Sequence, residues 1–389
     1  MASTDYESAG VNYDVLDAAK RTALGAAART RISHDYGTAM PESRGQSAFV
    51  FRANGSSTLA TVLECLGTKS VIAREYMNAG GPNLFDHVGF DAVASIINDL
   101  VSVGALPLVL NAYFATGSAD WYGEPARFER LVAGWEQGCL EAGAVWGGGE
   151  SPTLTGLVHP EDIELAGSAV GVIPPGKEPV LGQEIEHGNE IVFIGSTGLH
   201  TNGASLVRKI ADRLEHGYLT RLGSGRQLGE AVLDKSALYA KLVAELGRAD
   251  VAVTYYSHIT GHGLRKLMRA NKDVTYLIER LPLEVPEVLS FICDAGELDT
   301  RTAYATLNMG VGFVVFCAAG DGRRVVDVAE RVGLRAGVAG HVRPGPRQVI
   351  LQPLDITFRD EELQLGSDAP DEVQSSPNGS KGREPIAAR

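Results

Sequence analysis

A strand-like apolar run that enters a glycine-rich polar turn and then a helix is the feature that most constrains this fold. Residues 191–194 (IVFI) are typical of a buried strand, and residues 204–214 have a helical pattern. Between them, glycines at positions 195, 198 and 203 permit sharp turns. A helix that begins after such a turn presents unpaired backbone N–H groups to an anion. The segment predicts an anion-binding loop in an α/β protein, and a plain strand-to-helix turn is the alternative interpretation.

Strand-like and helical patterns alternate along the chain, which predicts an α/β or α+β fold. Helices are expected at residues 91–104, 124–142, 204–214, 234–247 and 323–333, and a further helix is expected to begin near Gly263. Strands are expected at residues 106–114, 163–173, 191–194, 274–278, 312–317 and 348–352. The length of 389 residues favours two domains, and Pro174-Pro175-Gly176 is a candidate boundary. We predict domains at 13–173 and 174–366, with disordered polar ends at 1–12 and 367–389.

The net charge of −13 argues against nucleic acid or an anionic membrane as the main partner, but it permits a phosphorylated small molecule. The four cysteines form no C-x-x-C pair, which favours a reducing cytoplasm over a disulfide framework or a metal cluster. No apolar run reaches the roughly 18 residues that a membrane helix needs. We therefore expect a cytoplasmic protein that does not bind membranes.

Carboxylates occur at glycine-rich turns and element ends in the first half of the chain. They are Glu64, Asp86, Asp91, Asp99 and Glu150. Mg²⁺ prefers such hard oxygen ligands and usually takes one or two carboxylates together with nucleotide phosphates. Each carboxylate taken alone is equally explained by a helix cap or a solvated charge. Asp99 lies near the end of an apolar helix, where its charge opposes the helix dipole and calls for a compensating partner.

Three further turns carry polar chemistry. Residues 67–69 (GTK) offer a turn, a hydroxyl and a cation to nucleotide phosphates, although the spacing is not that of a Walker A motif. His258 and His262 flank a glycine-rich turn at the start of a helix. Zinc is disfavoured because no third ligand has metal-like spacing, and a general base, an anion contact or a simple turn remain open. Asn308 lies in a turn where it bonds either its own backbone or a ligand.

The order of these motifs resembles the aminoimidazole ribonucleotide synthetase (phosphoribosylformylglycinamidine cyclo-ligase) family, whose ATP-binding superfamily includes selenophosphate synthetase and thiamine-monophosphate kinase. The resemblance extends from about residue 45 to about residue 352 and rests on the segments GTK, GFDAVASIINDLVSVGALPL, YFATG, GGGE, LAGSAVGVI, GSTGLHTNGASLVRK, HITGHG and LNMGVGF. It implies an α/β (α+β) fold of two domains, a homodimer formed through the sheet of the first domain, and an ATP cleft near that interface.

The resemblance also implies a purine-biosynthesis ligase that uses ATP and Mg²⁺ to convert formylglycinamidine ribonucleotide to aminoimidazole ribonucleotide. ATP phosphorylates the amide oxygen, which is otherwise a poor leaving group, and the amidine nitrogen then closes the ring. The nucleotide is assigned to Gly67, Thr68, Lys69, Asp99 and Glu150, and the metal to Glu64, Asp99 and Glu150. The substrate is assigned to Ser196, His200, Asn202, Ser205, Thr260 and Asn308, with His200, His258 and Lys69 as catalytic residues.

The sequence departs from the family pattern at metal and substrate loops. Glu64-Cys65-Leu66 stands where the family has Asp-Gly-Val, Ala112 stands where it has an aspartate, and Ser151 begins a loop that lacks a second acidic residue. His262 replaces a glycine of the family turn. These departures leave two alternatives to the cyclo-ligase. One is an ATP-dependent enzyme of specialised metabolism that activates another amide-like substrate, and the other is a non-catalytic nucleotide-binding subunit.

Overall fold

A computed structural model describes residues 13–28, 30, 37–55 and 57–363 of the chain, so the predicted disordered ends at 1–12 and 367–389 lie outside the described residues. Within that part of the chain, the strands form a six-stranded and a seven-stranded sheet. Both sheets carry helices, and the predicted α/β fold is confirmed. None of the described helices combines the length and the apolar character needed to cross a membrane.

The first sheet has the strand order β1-β2-β3-β6-β4-β5. Its strands are β1 Gly37–Ala39, β2 Phe49–Ala53, β3 Thr58–Cys65, β4 Leu106–Thr116, β5 Val145–Glu150 and β6 Ile163–Ile173. The helices of this half are α1 Tyr13–Ala28, α2 Lys69–Asn78, α3 Phe85–Val101 and α4 Pro125–Ala142. Along β6 the buried and half-buried residues alternate strictly, so one face of the sheet packs on helices and the other faces outward.

Helices α3 and α4 pack closely on the inner face of the first sheet because glycines remove the side chains at their crossing. A Cβ atom added to Gly134 would lie 1.8 Å from the carbonyl oxygen of Asp86. One added to Gly89 would lie 2.2 Å from the carbonyl oxygen of Leu131. Of the residues of α3, only Asp86 and His87 are not buried, and this central position makes α3 the frame from which polar side chains reach the second half of the chain.

The second sheet has the strand order β13-β12-β9-β11-β7-β10-β8. Its strands are β7 Glu190–Gly195, β8 Val253–His258, β9 Val274–Ile278, β10 Val311–Cys317, β11 Ala336–Pro344, β12 Gln348–Leu351 and β13 Ile356–Arg359. Its helices are α5 Ala204–Arg213, α6 Leu228–Val232, α7 Ala240–Arg248, α8 Glu287–Ala295, α9 Thr300–Thr306 and α10 Gly322–Arg331. The described 3₁₀ helices are Pro41–Ser43, Ala119–Trp121, Gly217–Leu219, Gly263–Ala270, Gln352–Leu354 and Asp360–Glu362.

The predicted helix over 234–247 is wrong in its first half, since α7 begins at Ala240 and no helix covers residues 233–239. The backbone N–H groups of this segment donate to side chains of other elements instead of to helical carbonyls. The N–H of Ser236 donates to Asp91 Oδ1 at 2.6 Å, and that of Tyr239 donates to Asn98 Oδ1 at 2.9 Å. Polar groups of α3 thereby hold the segment as a loop, which a pattern of local apolar spacing does not reveal.

Candidate functional site

A cleft of about 670 Å³ lies between the two sheets and is lined by residues of both. Strand β3 delivers Glu64 at its carboxyl end, and strand β8 delivers His258 at its carboxyl end. Helix α3 contributes Asp99, and helix α1 contributes Lys20 and Leu24. The volume falls within the range of about 300–1,000 Å³ that is typical of small-molecule sites.

A polar stripe on the otherwise apolar helix α3 links the cleft to the second domain. Ser95 is four residues from Asp91, three from Asn98 and four from Asp99, so the four side chains lie along one face of the helix. Asp91 and Asn98 hold the 234–239 loop, and the Asn98 amide also donates to the carbonyl of Ala237 at 2.9 Å. Ser95 and Asp99 line the cleft. The stripe therefore separates into a part that fixes the domain arrangement and a part that is available to a ligand.

Asp99 is buried and forms a carboxylate pair with the half-buried Glu64. Its Oδ1 lies 2.6 Å from His258 Nδ1, and Glu64 shares a hydrogen bond with it. Burial by itself would raise the pKa of Asp99, but the hydrogen bond from His258 and the charge of Lys266 hold that pKa well below its usual value. Burial and the charge of Asp99 raise the pKa of Glu64 to about 7. Two carboxyl groups in contact favour a shared proton or a bound cation between them.

Burial favours the neutral form of the histidine in this cluster. Burial lowers the pKa of His258, against the opposing effect of the Asp99 carboxylate. Because an ionised carboxylate only accepts hydrogen bonds, His258 donates its Nδ1 proton to Asp99, and its Nε2 then carries the lone pair. The contact therefore fixes the tautomer and leaves His258 able to accept a proton at Nε2.

Glu64 and Asp99 suit Mg²⁺ because they supply two carboxylates and leave other positions for phosphates and water. Glu150 does not join them. Cys65, Ala166, Tyr113 and Glu150 pair in a row across four strands, so Glu150 is about 14 Å along the sheet from the end of β3. Among the described residues, no group of three His, Cys, Asp or Glu side chains is placed to hold a metal ion. The predicted metal set is therefore reduced to two members within one chain.

Lys69 does not face the cleft. Its side chain is fully buried and forms an ion pair with Asp91, which is also fully buried. The ammonium donates to the carbonyl of His200 at 2.8 Å and to that of Asp234 at 3.4 Å. All three N–H donors of the ammonium thus have protein acceptors. In this structure Lys69 joins helices α2 and α3 to two loops of the second domain, instead of contacting nucleotide phosphates or reacting atoms as predicted.

His200 is also enclosed. Its Nε2 accepts hydrogen bonds from the backbone N–H groups of Thr197 at 3.1 Å and Ala237 at 3.3 Å. Burial, together with the charge of Lys69, holds the pKa of His200 well below its usual value. A neutral imidazole that accepts two backbone N–H groups fastens the glycine-rich loop to the 234–239 loop. His200 therefore occupies a packing position and not the substrate-facing, catalytic position that was predicted.

The remaining predicted substrate residues divide between the cleft and the loop interior. Asn202 and Thr260 line the cleft. Ser196 is buried and donates to Asn308 Oδ1 at 2.8 Å, and the Asn308 amide donates to the carbonyl of Gly198 at 2.9 Å. Asn308 was expected to bond either backbone or a ligand, and in this structure its side chain bonds to backbone.

Two predicted residues meet at the domain boundary outside the cleft lining. The hydroxyl groups of Thr68 and Ser205 lie 3.4 Å apart, between the start of α2 and the start of α5. Thr68 and its neighbour Gly67 are both half-buried. The GTK turn therefore contacts the glycine-rich loop of the second domain in this structure.

Sequence reasoning missed two cations of the cleft, Lys266 and Arg269. Both belong to the 3₁₀ helix Gly263–Ala270, in which residues three apart lie on the same line. Burial lowers the pKa of Lys266 to about 8, against the effect of the Asp99 carboxylate. Arg269 is anchored by the carbonyl of Gly45 at 2.5 Å and by Ser47 Oγ at 3.0 Å. The sequence signal that identifies them is a pair of basic residues three positions apart after a glycine-rich turn.

The fold and the cleft define a two-domain α/β protein whose interdomain site combines paired carboxylates with cations. Comparison with known proteins gives the family. Residues 45–173 match the N-terminal domain of AIR synthase related proteins, and residues 186–351 match the C-terminal domain. The chain belongs to the AIR synthase related protein family, and the predicted membership is confirmed.

Curated relatives and a solved structure support this assignment. The chain is 33% identical over 298 residues to phosphoribosylformylglycinamidine cyclo-ligase of Carboxydothermus hydrogenoformans, covering 75% of this chain and 83% of the relative. It is 33% identical over 290 residues to the enzyme of the same name from Methanocaldococcus jannaschii, covering 74% of this chain and 79% of the relative. The hydrogenase maturation protein HypE in complex with ATP has the same fold, with a TM-score of 0.56, 17% identity, and coverage of 77% of this chain and 83% of that one.

Proposed function

We propose that this protein is an ATP-dependent phosphoribosylformylglycinamidine cyclo-ligase, which converts formylglycinamidine ribonucleotide to aminoimidazole ribonucleotide. The observation that carries the proposal is the similarity to curated cyclo-ligases over about three quarters of the chain, at 33% identity over 298 residues. The interdomain cleft agrees with it, since its volume and its carboxylate pair suit a nucleotide with a divalent cation. HypE, which has the same fold, binds ATP.

Different residues of the cleft would serve different parts of the reaction. Glu64 and Asp99 would hold Mg²⁺, which neutralises charge on the transferring phosphoryl group when it is bound. Asn202 and Thr260 line the same cleft and supply neutral polar contacts for the substrate. His258 Nε2 would accept the proton that the amidine nitrogen loses when the ring closes, because the bond from Nδ1 to Asp99 fixes the tautomer.

The proposal is tested by measuring ADP release with Mg²⁺ and ATP, with and without formylglycinamidine ribonucleotide. We expect ADP release that depends on the substrate and an equal amount of the aminoimidazole product, detected by diazo coupling. ATP turnover only with another amide-like acceptor would show that this acceptor, and not formylglycinamidine ribonucleotide, is the substrate. ATP binding in calorimetry without turnover on any acceptor would indicate a non-catalytic nucleotide-binding subunit.

One observation keeps the altered-substrate alternative open. Ala112 is buried in β4 where the family pattern has an aspartate, and Ser151 is exposed in a loop outside the cleft lining. Neither position supplies a carboxylate to the cleft. An acceptor screen with other formamide and amidine compounds separates this alternative from the cyclo-ligase, because only the cyclo-ligase gives the aminoimidazole.

We further propose that the protein is a cytoplasmic homodimer that pairs through the outer face of its first sheet. Leu63 on β3 and Val145 on β5 are 74% and 66% exposed on this face, which no described helix covers. Apolar side chains on one open sheet face favour burial against a second copy. The cytoplasm is favoured because all four cysteines are free thiols, as expected in a reducing compartment.

Replacing Leu63 with aspartate is expected to convert the dimer to a monomer. An unpaired carboxylate in an apolar interface costs several kcal/mol, or about 100-fold or more in the dissociation constant. Light scattering after size exclusion should give a molar mass near the 41.2 kDa of one chain, instead of twice that value. Leu140→Asp is the matched control, because Leu140 is 72% exposed on α4, on the opposite side of the sheet. A monomeric wild-type protein would contradict the proposal.

A further inference from the structure

Two buried lysines of this protein differ in how their ammonium groups are satisfied. Lys69 Nζ has three protein acceptors. Lys266 is also buried, at 4% exposure, but within the described residues its ammonium has one hydrogen-bond partner, Thr260 Oγ1 at 2.6 Å, and no carboxylate within ion-pair distance. A buried ammonium with unused donors is costly unless a ligand completes it. Lys266 therefore has the character of a ligand-binding residue, whereas Lys69 has that of a structural one.

The place of Lys266 identifies the ligand as an anion that enters the cleft. Its 3₁₀ helix positions Lys266 and Arg269 on one line, and both side chains line the cleft that Glu64 and Asp99 also line. Thr260, which accepts the bond from Lys266, is two residues beyond His258 and fixes the ammonium near the carboxylate pair. A phosphate is the anion that bridges a lysine ammonium and a carboxylate-bound divalent cation.

We propose that the Lys266 ammonium binds the terminal phosphate of ATP and remains on the phosphoryl group while it moves to the amide oxygen of the substrate. This inference rests on the proposed function. In the step, the bond from the γ-phosphorus to the β,γ-bridging oxygen breaks, a bond from that phosphorus to the amide oxygen forms, ADP leaves with the electron pair, and the amide nitrogen releases its proton to solvent. Lys266 keeps its protons and supplies positive charge to the phosphoryl group beside Glu64 and Asp99, which would hold a single divalent cation.

The test measures two affinities by calorimetry, that for ATP in EDTA and that for Mg²⁺ without nucleotide. Lys266→Met is expected to weaken metal-free ATP binding by about 10- to 100-fold, because a charge-assisted hydrogen bond is lost. It is expected to tighten Mg²⁺ binding by at least about threefold, because a competing charge beside Glu64 and Asp99 is removed. Lys266→Arg should restore most of the ATP affinity. Lys241→Met is the matched control, since Lys241 is exposed on α7.

Opposite changes in the two affinities distinguish a phosphate-binding residue from a damaged cleft. If both affinities fall together, or if neither changes, the role of Lys266 is overturned even when the wild-type enzyme turns over ATP with its substrate. If the wild-type protein does not bind ATP, both the role of Lys266 and the cyclo-ligase proposal are overturned. Lys266→Gln, a polar neutral variant, provides the same two measurements if Lys266→Met does not fold.

Discussion

Replacing Asp99 with asparagine is expected to lower the rate of ATP turnover by about two to three orders of magnitude and to abolish measurable Mg²⁺ binding to the free protein. Asp99 pairs with Glu64 and is polarised by His258 at 2.6 Å, so its charge is the one that Mg²⁺ would compensate. Asparagine has nearly the same shape as aspartate and still accepts the hydrogen bond from His258. The loss of turnover and of Mg²⁺ binding therefore measures the contribution of the Asp99 charge. Steady-state ADP release and Mg²⁺ calorimetry provide the two measurements.

Asp86→Asn is the matched control for this substitution. Asp86 is at the start of the same helix α3, its carboxylate pairs with Arg130, and it does not line the cleft. A surface ion pair of this kind contributes about 0–1 kcal/mol, so the control should retain wild-type turnover and stability. An Asp99→Asn protein that binds Mg²⁺ and turns over ATP within about threefold of wild type would remove Asp99 from the metal site.

The fold was predictable because periodicity and turn chemistry are local. The alternation along 163–173 and the apolar run at 191–194 mark β6 and β7, and Gly143 ends α4 in the left-handed conformation that a C-cap glycine adopts. The resemblance over about residues 45–352 agrees with the family matches at 45–173 and 186–351. These signals lie within a few residues of the structure they determine.

The site was less predictable because its assignment depends on which side chains are satisfied by distant parts of the chain. Residue type alone made Lys69 a phosphate ligand and His200 a catalytic histidine. Their partners, Asp91 and the N–H of Ala237, are 22 and 37 residues away in sequence. Conversely, Lys266 follows a turn in which His258 and His262 are the more conspicuous polar residues of the sequence. A motif indicates which residue types are present, but the hydrogen bonds formed in the folded protein determine which of those side chains can still bind a ligand.

Glu64 shows a second limit of sequence reasoning. Its predicted place in the metal site agrees with its contact to Asp99, whereas Glu150, which follows three glycines, is at the far edge of the same sheet. Both residues lie at the carboxyl end of a strand, and strand order is the difference between them. That order places β6 and β4 between β3 and β5, and it is set by long-range pairing that no local pattern encodes.

Replacing Lys69 with methionine is expected to lower the free energy of unfolding by about 3–5 kcal/mol, because it leaves the Asp91 carboxylate buried without its counter-charge. The ammonium also joins the carbonyls of His200 and Asp234, so both loops of the second domain lose an anchor to α2. Urea unfolding followed by circular dichroism measures the change. Lys177→Met is the matched control, since its ion pair with Asp250 is exposed to solvent, and its stability should stay close to that of the wild type.

The double variant Lys69→Met/Asp91→Asn separates a structural lysine from a phosphate ligand. Asparagine removes the uncompensated charge and still accepts the N–H of Ser236, so stability should recover by about half or more of the loss. If Lys69 acted on phosphates, the double variant would stay defective in ATP binding after its stability had recovered, and the single variant would lose ATP affinity without unfolding. Recovery of stability and ATP affinity together is the expected result, because Lys69 fixes the two domains that enclose the cleft and does not enter it.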